Sequence, residues 1–248
     1  MLIFKVLYAK LLEFDTESDP RTVDVPEASF TYTFVLVGLY LLVVHKLGPA
    51  FMLKRKPYEV KRIVQIYNIM QVILNAFIFA QVWRFGSMCI IPNLICLVLI
   101  LTRQITVHIS SSIFFVLRKK WKQVSFLHVY HHCLMLICAC IYLKYLLGSH
   151  FEIVGLINCF VHVVMYSYYF VSSLNLAVNL QPWKRRVTQL QIVQFFFYTV
   201  HLGRALFNNW CGLSPFWLIA SFMQNAFITV LFFNFYYRTY LAKPKRNE

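Results

Sequence analysis

Long apolar stretches alternate with short polar segments along the chain, and each stretch is close to the about 20 residues with which a helix crosses a bilayer. The third stretch is the least regular, because Arg103, Gln104 and His108 interrupt it. The pattern predicts an all-α, polytopic membrane protein built as a bundle of seven transmembrane helices. The predicted spans are Phe30–Leu47, Ile63–Trp83, Pro92–Leu117, Ser125–Tyr142, Phe151–Leu174, Val187–Phe207 and Pro215–Tyr237.

The residues outside the predicted bundle differ in character. Met1–Phe14 is apolar but interrupted by Lys5 and Lys10, which predicts an interfacial helix and not a span or a cleaved signal peptide. Glu13–Glu27 carries six acidic residues and two prolines, which predicts a solvated tail. We therefore divide the chain into an N-terminal tail (1–29), a membrane domain (30–238) and a C-terminal tail (239–248).

Composition agrees with a membrane protein. Of the 248 residues 60% are hydrophobic and only 13% are charged, whereas a soluble domain averages about 25% charged residues. The mean hydropathy is +0.62. The net charge of +15 arises from short basic runs between apolar stretches, so it indicates membrane lipids and acidic substrates as partners and not nucleic acid.

The basic residues also predict the orientation of the helices. Seventeen of the 24 Lys and Arg residues fall on one side of a seven-helix arrangement, six fall on the other and Arg103 lies within a span. Because cytosolic loops are enriched in Lys and Arg, the C-terminus is predicted to be cytosolic and the N-terminus to lie on the opposite side. Cys89 and Cys211 then face the oxidising side, where they form a disulfide or remain two unrelated thiols.

Three of the eight histidines, His128, His131 and His132, lie within five residues near the start of the fourth predicted helix. Positions i, i+3 and i+4 share one helix face, so three imidazoles would cluster at the cytosolic mouth of the bundle. Ionisable groups within a membrane helix are costly. A functional cluster is therefore favoured over interfacial histidines that are merely wetted by headgroups.

A second polar face follows the fifth predicted helix, where His162, Tyr166 and Tyr169 are spaced at helical intervals. A lone amide in a membrane helix is explained by an interhelical hydrogen bond of about 0.6 kcal/mol, but a histidine beside a tyrosine favours function. Further amide side chains are predicted to face the same polar interior, namely those of Asn158, Asn68, Gln71, Asn75 and Gln191.

These features together predict a polar pocket that opens to the cytosol between basic loops. Lys119, Lys120, Lys184 and Arg185 are positioned to bind phosphate groups there. A matching substrate has an anionic phosphate head and a long apolar tail that runs between helices. A fatty acyl-CoA and a phospholipid both meet this description.

The histidine cluster permits more than one chemistry. Imidazoles bind iron in membrane desaturases and hydroxylases, but those sites draw on repeated histidine clusters and this chain has one. A neutral imidazole can instead accept an acyl group from a thioester while its neighbours move protons. In a third variant Cys133 or Cys159 would carry the acyl group, although Cys133 falls on a different helix face from His131.

The histidine segment Leu127–His132 resembles the His-x-x-His-His box of the ELO family, the elongases of very long chain fatty acids. The resemblance extends from about residue 19 to about residue 240 and rests on several motifs together. The further segments that resemble family motifs are Asp19–Arg21, Arg55–Arg62 with Tyr67 and Asn68, Ile113–Lys120, Asn158–Tyr169 and Thr188–Phe195.

This resemblance implies seven helices in the endoplasmic reticulum membrane and a decarboxylating condensation of acyl-CoA with malonyl-CoA, which yields 3-oxoacyl-CoA, CO2 and CoA. It implies no metal and no dissociable cofactor. By the family pattern His131 would carry the acyl group, His162 would sit across from it, and His128 and His132 would relay protons. Asn158, Tyr166 and Gln191 would orient groups in the pocket, and Cys89 would pair with Cys211. Implied protein partners are the reductases and the dehydratase of the elongation cycle and further copies of the chain.

The chain departs from the family pattern in its third predicted helix. Where the family usually shows Lys-x-x-Glu-x-x-Asp-Thr, this chain has Ile105, His108, Ser111 and Ser112. The lysine and both acids that would lie near the histidines are therefore missing. The sequence thus leaves open a second hypothesis, a catalytically impaired homologue that acts as a binding partner.

Overall fold

The computed structural model describes Asp19, Thr22 and residues 25–85, 109–147, 149–209 and 211–242. The regular structure in these residues is entirely helical, as the sequence predicts. We number the helices α1 to α7 in chain order. They are α1 (Phe30–Met52), α2 (Lys61–Phe85), α3 (109–117), α4 (Phe126–Leu146), α5 (Phe151–Ser173), α6 (Gln181–Phe207) and α7 (Pro215–Leu241).

Among the described residues, five helices are long and apolar enough to cross a membrane, namely α1, α2, α4, α5 and α7. These are the helices of a multi-pass membrane protein. Helix α6 is 27 residues long but is not one of the five, because glutamines and basic residues interrupt its apolar surface. It begins at Gln181, six residues before the predicted start, with Pro182 in its first turn, where proline is tolerated.

Helix α1 continues to Met52, beyond the predicted end at Leu47. Its path includes a π-helical turn at Val43–Leu47, directly before Gly48 and Pro49. Because proline has no backbone N–H and its ring clashes with the preceding turn, a wider turn lets the helix pass it. The predicted span ends at Leu47, whereas the helix continues through Pro49 to Met52.

The described helices belong to two compact units. The first unit comprises Met1–Val60 and Cys89–Phe151, and it contains α1, α3 and α4. Its apolar core is formed by Tyr40 and Val44 of α1 and Val129 of α4, with Ile109 of α3 packed against them. Leu136 and Ala139 extend the same interface further along α4, where Leu36, Val37 and again Ile109 pack on them.

Part of the N-terminal tail is packed onto α4. The backbone N–H of Asp19 donates to the carbonyl oxygen of Lys144 at 3.0 Å, and the Thr22 hydroxyl contacts the carbonyl oxygen of Leu143 at 3.2 Å. Thr22 is fully buried. The prediction that Glu13–Glu27 is solvated is therefore wrong at Thr22, because its hydroxyl donates to the Leu143 carbonyl oxygen, in the last turn of α4 where carbonyl groups lack helical partners.

The second unit comprises Lys61–Met88 and Glu152–Glu248, and it contains α2, α5, α6 and α7. Helix α5 contacts α2 through Phe160 and Phe79, whose ring centroids are 6.0 Å apart. It contacts α6 where the Tyr198 hydroxyl donates to the carbonyl oxygen of Val154. Helices α6 and α7 are joined by the Asn225 side chain, which donates to the Thr199 hydroxyl at 2.8 Å.

Several predicted features lie outside the described residues. They are the interfacial helix at Met1–Phe14, the first part of the third span with Ile105 and His108, and Cys89. The pairing of Cys89 with Cys211 therefore stays a prediction, although Cys211 itself is described.

Candidate active site

The histidine-bearing helix α4 begins with a side-chain cap. Ser125 stands at the N-cap position in extended backbone, and its hydroxyl accepts the backbone N–H of His128 at 3.3 Å. Serine is favoured there because it satisfies an N–H that has no partner within the helix. The cap fixes the helical register of the turn that carries the histidine cluster.

The three imidazoles of α4 form one contiguous group in the first unit. The ring centroids of His128 and His132 are 4.0 Å apart, and those of His131 and His132 are 5.7 Å apart. His132 is buried, whereas His128 and His131 are half-buried. The clustering predicted from the i, i+3 and i+4 spacing is thus present, with His132 in the middle of the group.

The imidazole of His128 is held from two other helices. Its Nε2 atom lies 2.8 Å from the Ser112 hydroxyl of α3, and that hydroxyl lies 2.8 Å from the Tyr40 hydroxyl of α1. The Phe115 ring of α3 lies 5.1 Å from the His128 ring. The Tyr40 ring also stacks on His132, at 6.4 Å with an interplanar angle of 12°.

Cys133 follows the histidines but contacts a different set of side chains. It packs against the apolar cluster of Tyr40, Val44 and Val129. Cys140, two turns further along the helix, is fully buried. Both thiols therefore fill space in the apolar interior of the first unit, which is the usual role of a buried cysteine.

The predicted phosphate-binding residues of the first unit follow the end of α3. The backbone N–H of Lys120 donates to the Phe115 carbonyl and that of Lys119 to the Val116 carbonyl, the hydrogen-bond pattern of a Schellman motif. Lys119 has φ 53°, a left-handed conformation that glycine normally adopts. Partial burial and repulsion from Arg118 lower the pKa of Lys120. At Lys119 the chain therefore has a lysine in a backbone conformation that glycine would adopt with less strain.

The loop that follows α1 lies against this basic turn. The backbone N–H of Tyr58 donates to the carbonyl oxygen of Leu117 at 3.0 Å, which ties the loop to the end of α3. The loop carries three consecutive exposed cations, Lys54, Arg55 and Lys56. The positive surface of the first unit is therefore larger than the predicted phosphate-binding pair, Lys119 and Lys120.

In the second unit His162 lies within an aromatic cluster. Its ring is 5.7 Å from that of Tyr166 and nearly perpendicular to it, and both residues are buried. Tyr67 of α2 approaches Tyr166 edge-on at 5.9 Å and shares a side-chain hydrogen bond with it. Tyr169 is 43% exposed and also contacts Tyr166, at 6.1 Å. The predicted stripe on α5 thus brings His162, Tyr166 and Tyr169 together.

The amides of α2 are buried in the second unit. Asn68, Gln71 and Asn75 are 3%, 6% and 1% exposed, respectively. Asn75 donates from Nδ2 to the Gln71 carbonyl oxygen at 2.8 Å. Among the described residues, Nδ2 of Asn68 has no hydrogen-bond partner. A buried amide donor without a partner costs about 1–3 kcal/mol, so this atom is a place where a substrate oxygen would be stabilised.

Two further predicted pocket residues, Asn158 and Gln191, are both half-buried in the second unit. Gln191 donates from Nε2 to the Met165 sulfur at 3.4 Å, which orients its amide toward α5. Sulfur is a weak acceptor, so this contact holds the amide loosely.

The basic residues Lys184 and Arg185 occupy the first turns of α6 and are exposed. Arg185 donates from Nε to the Tyr236 hydroxyl at 2.8 Å, and Gln189 donates to the same oxygen. Cations at a helix N-terminus are opposed by the helix dipole, and the free N–H groups there favour anions. This arrangement is suited to a bound anion.

Three residues of these clusters were not selected from the sequence. Tyr40, Ser112 and Tyr67 each approach a predicted catalytic or pocket side chain from another helix. Their hydroxyls stand in apolar helices, which is a signal that the sequence does contain. Their partners lie on other helices, however, so the sequence does not show which side chains they contact. Within the part of the chain that the structure describes, no group of three His, Cys, Asp or Glu side chains is arranged to hold a metal ion.

Comparisons with known proteins extend over most of the chain. The family model described as "ELO: GNS1/SUR4 family" matches residues 25–248. Very long chain fatty acid elongase 4 of Mus musculus is 34% identical over 252 residues, which cover 94% of this chain and 79% of that protein. Very long chain fatty acid elongase F of Drosophila melanogaster is 32% identical over 251 residues, covering 92% and 96%, respectively. The matched residues include α4, which carries His128, His131 and His132, and α5, which carries His162.

Proposed function

This chain belongs to the ELO (GNS1/SUR4) family, and on that premise we propose that it catalyses the condensing step of fatty acid elongation. Its substrates are a long-chain acyl-CoA and malonyl-CoA, and its products are 3-oxoacyl-CoA, CO2 and CoA. The protein acts as an acyltransferase without a metal or a dissociable cofactor. The observation that carries this proposal is the contiguous group of three imidazoles on α4.

The first half of the reaction is acylation of His131. A neutral ring nitrogen attacks the thioester carbon, the carbon–sulfur bond breaks and CoA leaves as a thiolate. The ring proton that remains on acylated His131 moves to the adjoining imidazoles of His132 and His128, which lie in ring contact with one another. The product is a neutral acyl-imidazole, a reactive acyl donor.

The second half forms the new carbon–carbon bond. Malonyl-CoA loses CO2, and the resulting carbanion attacks the acyl carbon on His131. The carbon–nitrogen bond breaks and the imidazole recovers its proton. Charge balances, because the carboxylate of malonyl-CoA supplies the negative charge that leaves with the CoA thiolate.

Polar side chains of the second unit are also assigned substrate contacts in this proposal. The Tyr166 ring lies against His162 and is itself contacted by Tyr67, so the imidazole has an aromatic neighbour that carries a hydroxyl. Asn68 offers a buried N–H without a partner among the described residues, and a thioester or enolate oxygen is an acceptor of matching chemistry. Asn158 and Gln191 orient the substrate, with Gln71 and Tyr169 lining the pocket.

Phosphate groups of the CoA moieties bind the basic turns. Lys119 and Lys120 act in the first unit, and Lys184 and Arg185 act in the second unit. The left-handed Lys119 supports this role, because the chain keeps a cation where glycine would be less strained.

We predict that Lys119→Gly makes the protein more stable by about 1 kcal/mol and weakens acyl-CoA binding about five-fold. Stability increases because glycine adopts the left-handed conformation without strain. Acyl-CoA affinity decreases because a phosphate-binding cation is removed. Thermal unfolding and acyl-CoA titration of the purified variant measure the two effects.

The matched control is Asn175→Gly, at the other described non-glycine residue with a positive φ, 54°. It relieves the same kind of strain without removing a charge, so acyl-CoA affinity should not change. Unchanged acyl-CoA affinity in Lys119→Gly would show that Lys119 does not bind the CoA phosphates.

The membrane arrangement completes the proposal. The predicted third span, Pro92–Leu117, and helix α6 cross the membrane together with the five apolar spans, giving seven crossings in the endoplasmic reticulum. The N-terminus is lumenal, the C-terminus is cytosolic, and Cys89 pairs with Cys211 on the lumenal side. Reductases and a dehydratase of the elongation cycle, and further copies of this chain, are the proposed protein partners.

The missing acids of α3 support a second candidate, a family member that binds acyl-CoA without turning it over. Ser111 and Ser112 stand where the family usually has an acid and a threonine. Malonyl-CoA labelled in its free carboxyl group separates the two candidates. Release of labelled CO2 that depends on added acyl-CoA supports the condensing enzyme, whereas acyl-CoA binding without release supports the binding partner.

A further inference from the structure

Two buried hydroxyls, on two different helices of the first unit, lie next to the histidine cluster of α4. Tyr40 of α1 is 2% exposed and Ser112 of α3 is 0% exposed. Their oxygens are 2.8 Å apart, and the Ser112 oxygen is 2.8 Å from Nε2 of His128 on α4. A continuous hydrogen-bonded chain therefore runs from Tyr40 through Ser112 to His128.

Because both hydroxyls are buried, they need the hydrogen bonds that link Tyr40, Ser112 and His128. A hydroxyl removed from water without a partner costs about 1–3 kcal/mol, and in this arrangement each of the two hydroxyls has a hydrogen-bond partner. Because Ser112 has a single proton and two neighbours, it can donate to only one of them. Its direction therefore decides whether Nε2 of His128 donates or accepts.

The two directions have different chemical consequences. If Tyr40 donates to Ser112 and Ser112 donates to His128, the neutral imidazole carries its proton on Nδ1 and has no nitrogen left to act as a base. If Nε2–H donates to Ser112 and Ser112 donates to Tyr40, Nδ1 of His128 retains its lone pair. Only the second direction suits a histidine that takes up a proton.

We propose that Tyr40 and Ser112 are positioning residues that hold His128 in the Nε2–H tautomer, so that its Nδ1 atom can accept a proton during acyl transfer. This inference rests on the condensing activity proposed above. It assigns to two uncharged hydroxyls the orienting role that a carboxylate plays beside histidine in many enzymes, in a chain whose α3 lacks the acids of its family.

The proton balance follows from the ring contacts. His131 loses a ring proton when it is acylated, and His132 stands between His131 and His128, with centroid distances of 5.7 Å and 4.0 Å. The proton is held on Nδ1 of His128 as an imidazolium, whose Nε2–H still donates to Ser112. It returns to His131 when the carbanion derived from malonyl-CoA removes the acyl group.

Ser112→Ala and Tyr40→Phe test the proposal by the rate of elongation. Each change should lower kcat about 10-fold to 100-fold while the KM for acyl-CoA stays within about two-fold, because the substrate does not contact these hydroxyls. Ser112→Thr retains the hydroxyl and should restore most of kcat. Tyr32→Phe is the control, since Tyr32 is on the same helix as Tyr40 and is 38% exposed.

The tautomer of His128 is a second measurement, and it should not change if Ser112 has only a structural role. Nitrogen NMR of protein labelled in its histidines should show His128 protonated on Nε2 in the wild type and in Ser112→Thr, and a mixed tautomer in Ser112→Ala. Assignment uses a His128→Asn variant, in which the signal disappears.

The outcomes separate this inference from the function on which it rests. Wild-type protein that forms no 3-oxoacyl product would overturn the proposed function itself. Active wild type together with full kcat in Ser112→Ala and Tyr40→Phe would overturn the positioning role alone. A wild-type His128 protonated on Nδ1, or a kcat loss that Ser112→Thr does not restore, would also overturn it.

Discussion

Replacing His131 with alanine is expected to abolish covalent acylation of the protein by a long-chain acyl-CoA. The proposed acyl acceptor is a ring nitrogen of this residue, and its neighbours His128 and His132 can move protons but do not replace it as nucleophile. Loss of a covalent nucleophile lowers kcat by about 1000-fold or more. The measurement is the intact mass of the protein after incubation with acyl-CoA and quenching, in which the acylated species should be absent.

Cys133→Ala is the matched control for this variant. The thiol lies two residues from His131, but it packs against the apolar cluster of Tyr40, Val44 and Val129. The variant should be acylated to the same extent as the wild type. Persistent acylation of His131→Ala together with loss in Cys133→Ala would transfer the acyl-carrier role to the cysteine.

Gly48→Ala is expected to destabilise the protein by about 3 kcal/mol, the largest stability effect that the first unit suggests. A Cβ atom at this position would lie 2.6 Å from the carbonyl oxygen of Val43 and 2.7 Å from Cγ1 of Val116. Val116 is buried, and Val43 begins the π-helical turn before Pro49, so neither atom can move without displacing α1 or α3. Thermal unfolding in detergent measures the change.

Gly38→Ala is the control on the same helix. A Cβ atom there meets nothing within 4 Å, so alanine should stabilise the helix by about 0.5–1 kcal/mol through its better helix propensity. Equal stability of the two variants would contradict the close approach of α1 to α3 at Gly48.

The sequence predicts most of the helices and the histidine cluster because both depend on local spacing. Apolar stretches of membrane length mark the spans, and the i, i+3 and i+4 positions of His128, His131 and His132 place three imidazoles together on any α-helix. The stripe on α5 that joins His162 to Tyr166 follows from the same periodicity. These features need no knowledge of how the helices pack.

What the sequence does not predict depends on contacts between distant segments. Tyr40 and Ser112 are 72 residues apart, and nothing in either helix indicates that their hydroxyls meet beside His128. Thr22 likewise belongs to an acidic segment with the composition of a solvated tail, yet it is hydrogen-bonded to α4, 121 residues further along the chain. Local composition indicates exposure, but a single distant acceptor can outweigh it.

The structure changes the interpretation of the serines on α3. From the sequence alone, serines in place of an acid and a threonine suggest a weakened site. In the structure one of those serines contacts a histidine of the box directly, at 2.8 Å. The departure from the family pattern therefore affects the charge near the box, while the hydrogen bond to His128 is still made by a hydroxyl.

The most direct test of the condensing activity is the mass of the product formed by purified protein. The protein is incubated with malonyl-CoA and one acyl-CoA at a time from a panel of chain lengths, and the CoA esters are analysed by mass spectrometry. We expect a 3-oxoacyl-CoA two carbons longer than the acyl-CoA supplied, and we expect no such product without malonyl-CoA or with His131→Ala. Folded protein that binds acyl-CoA yet yields no such product from any chain length would contradict it.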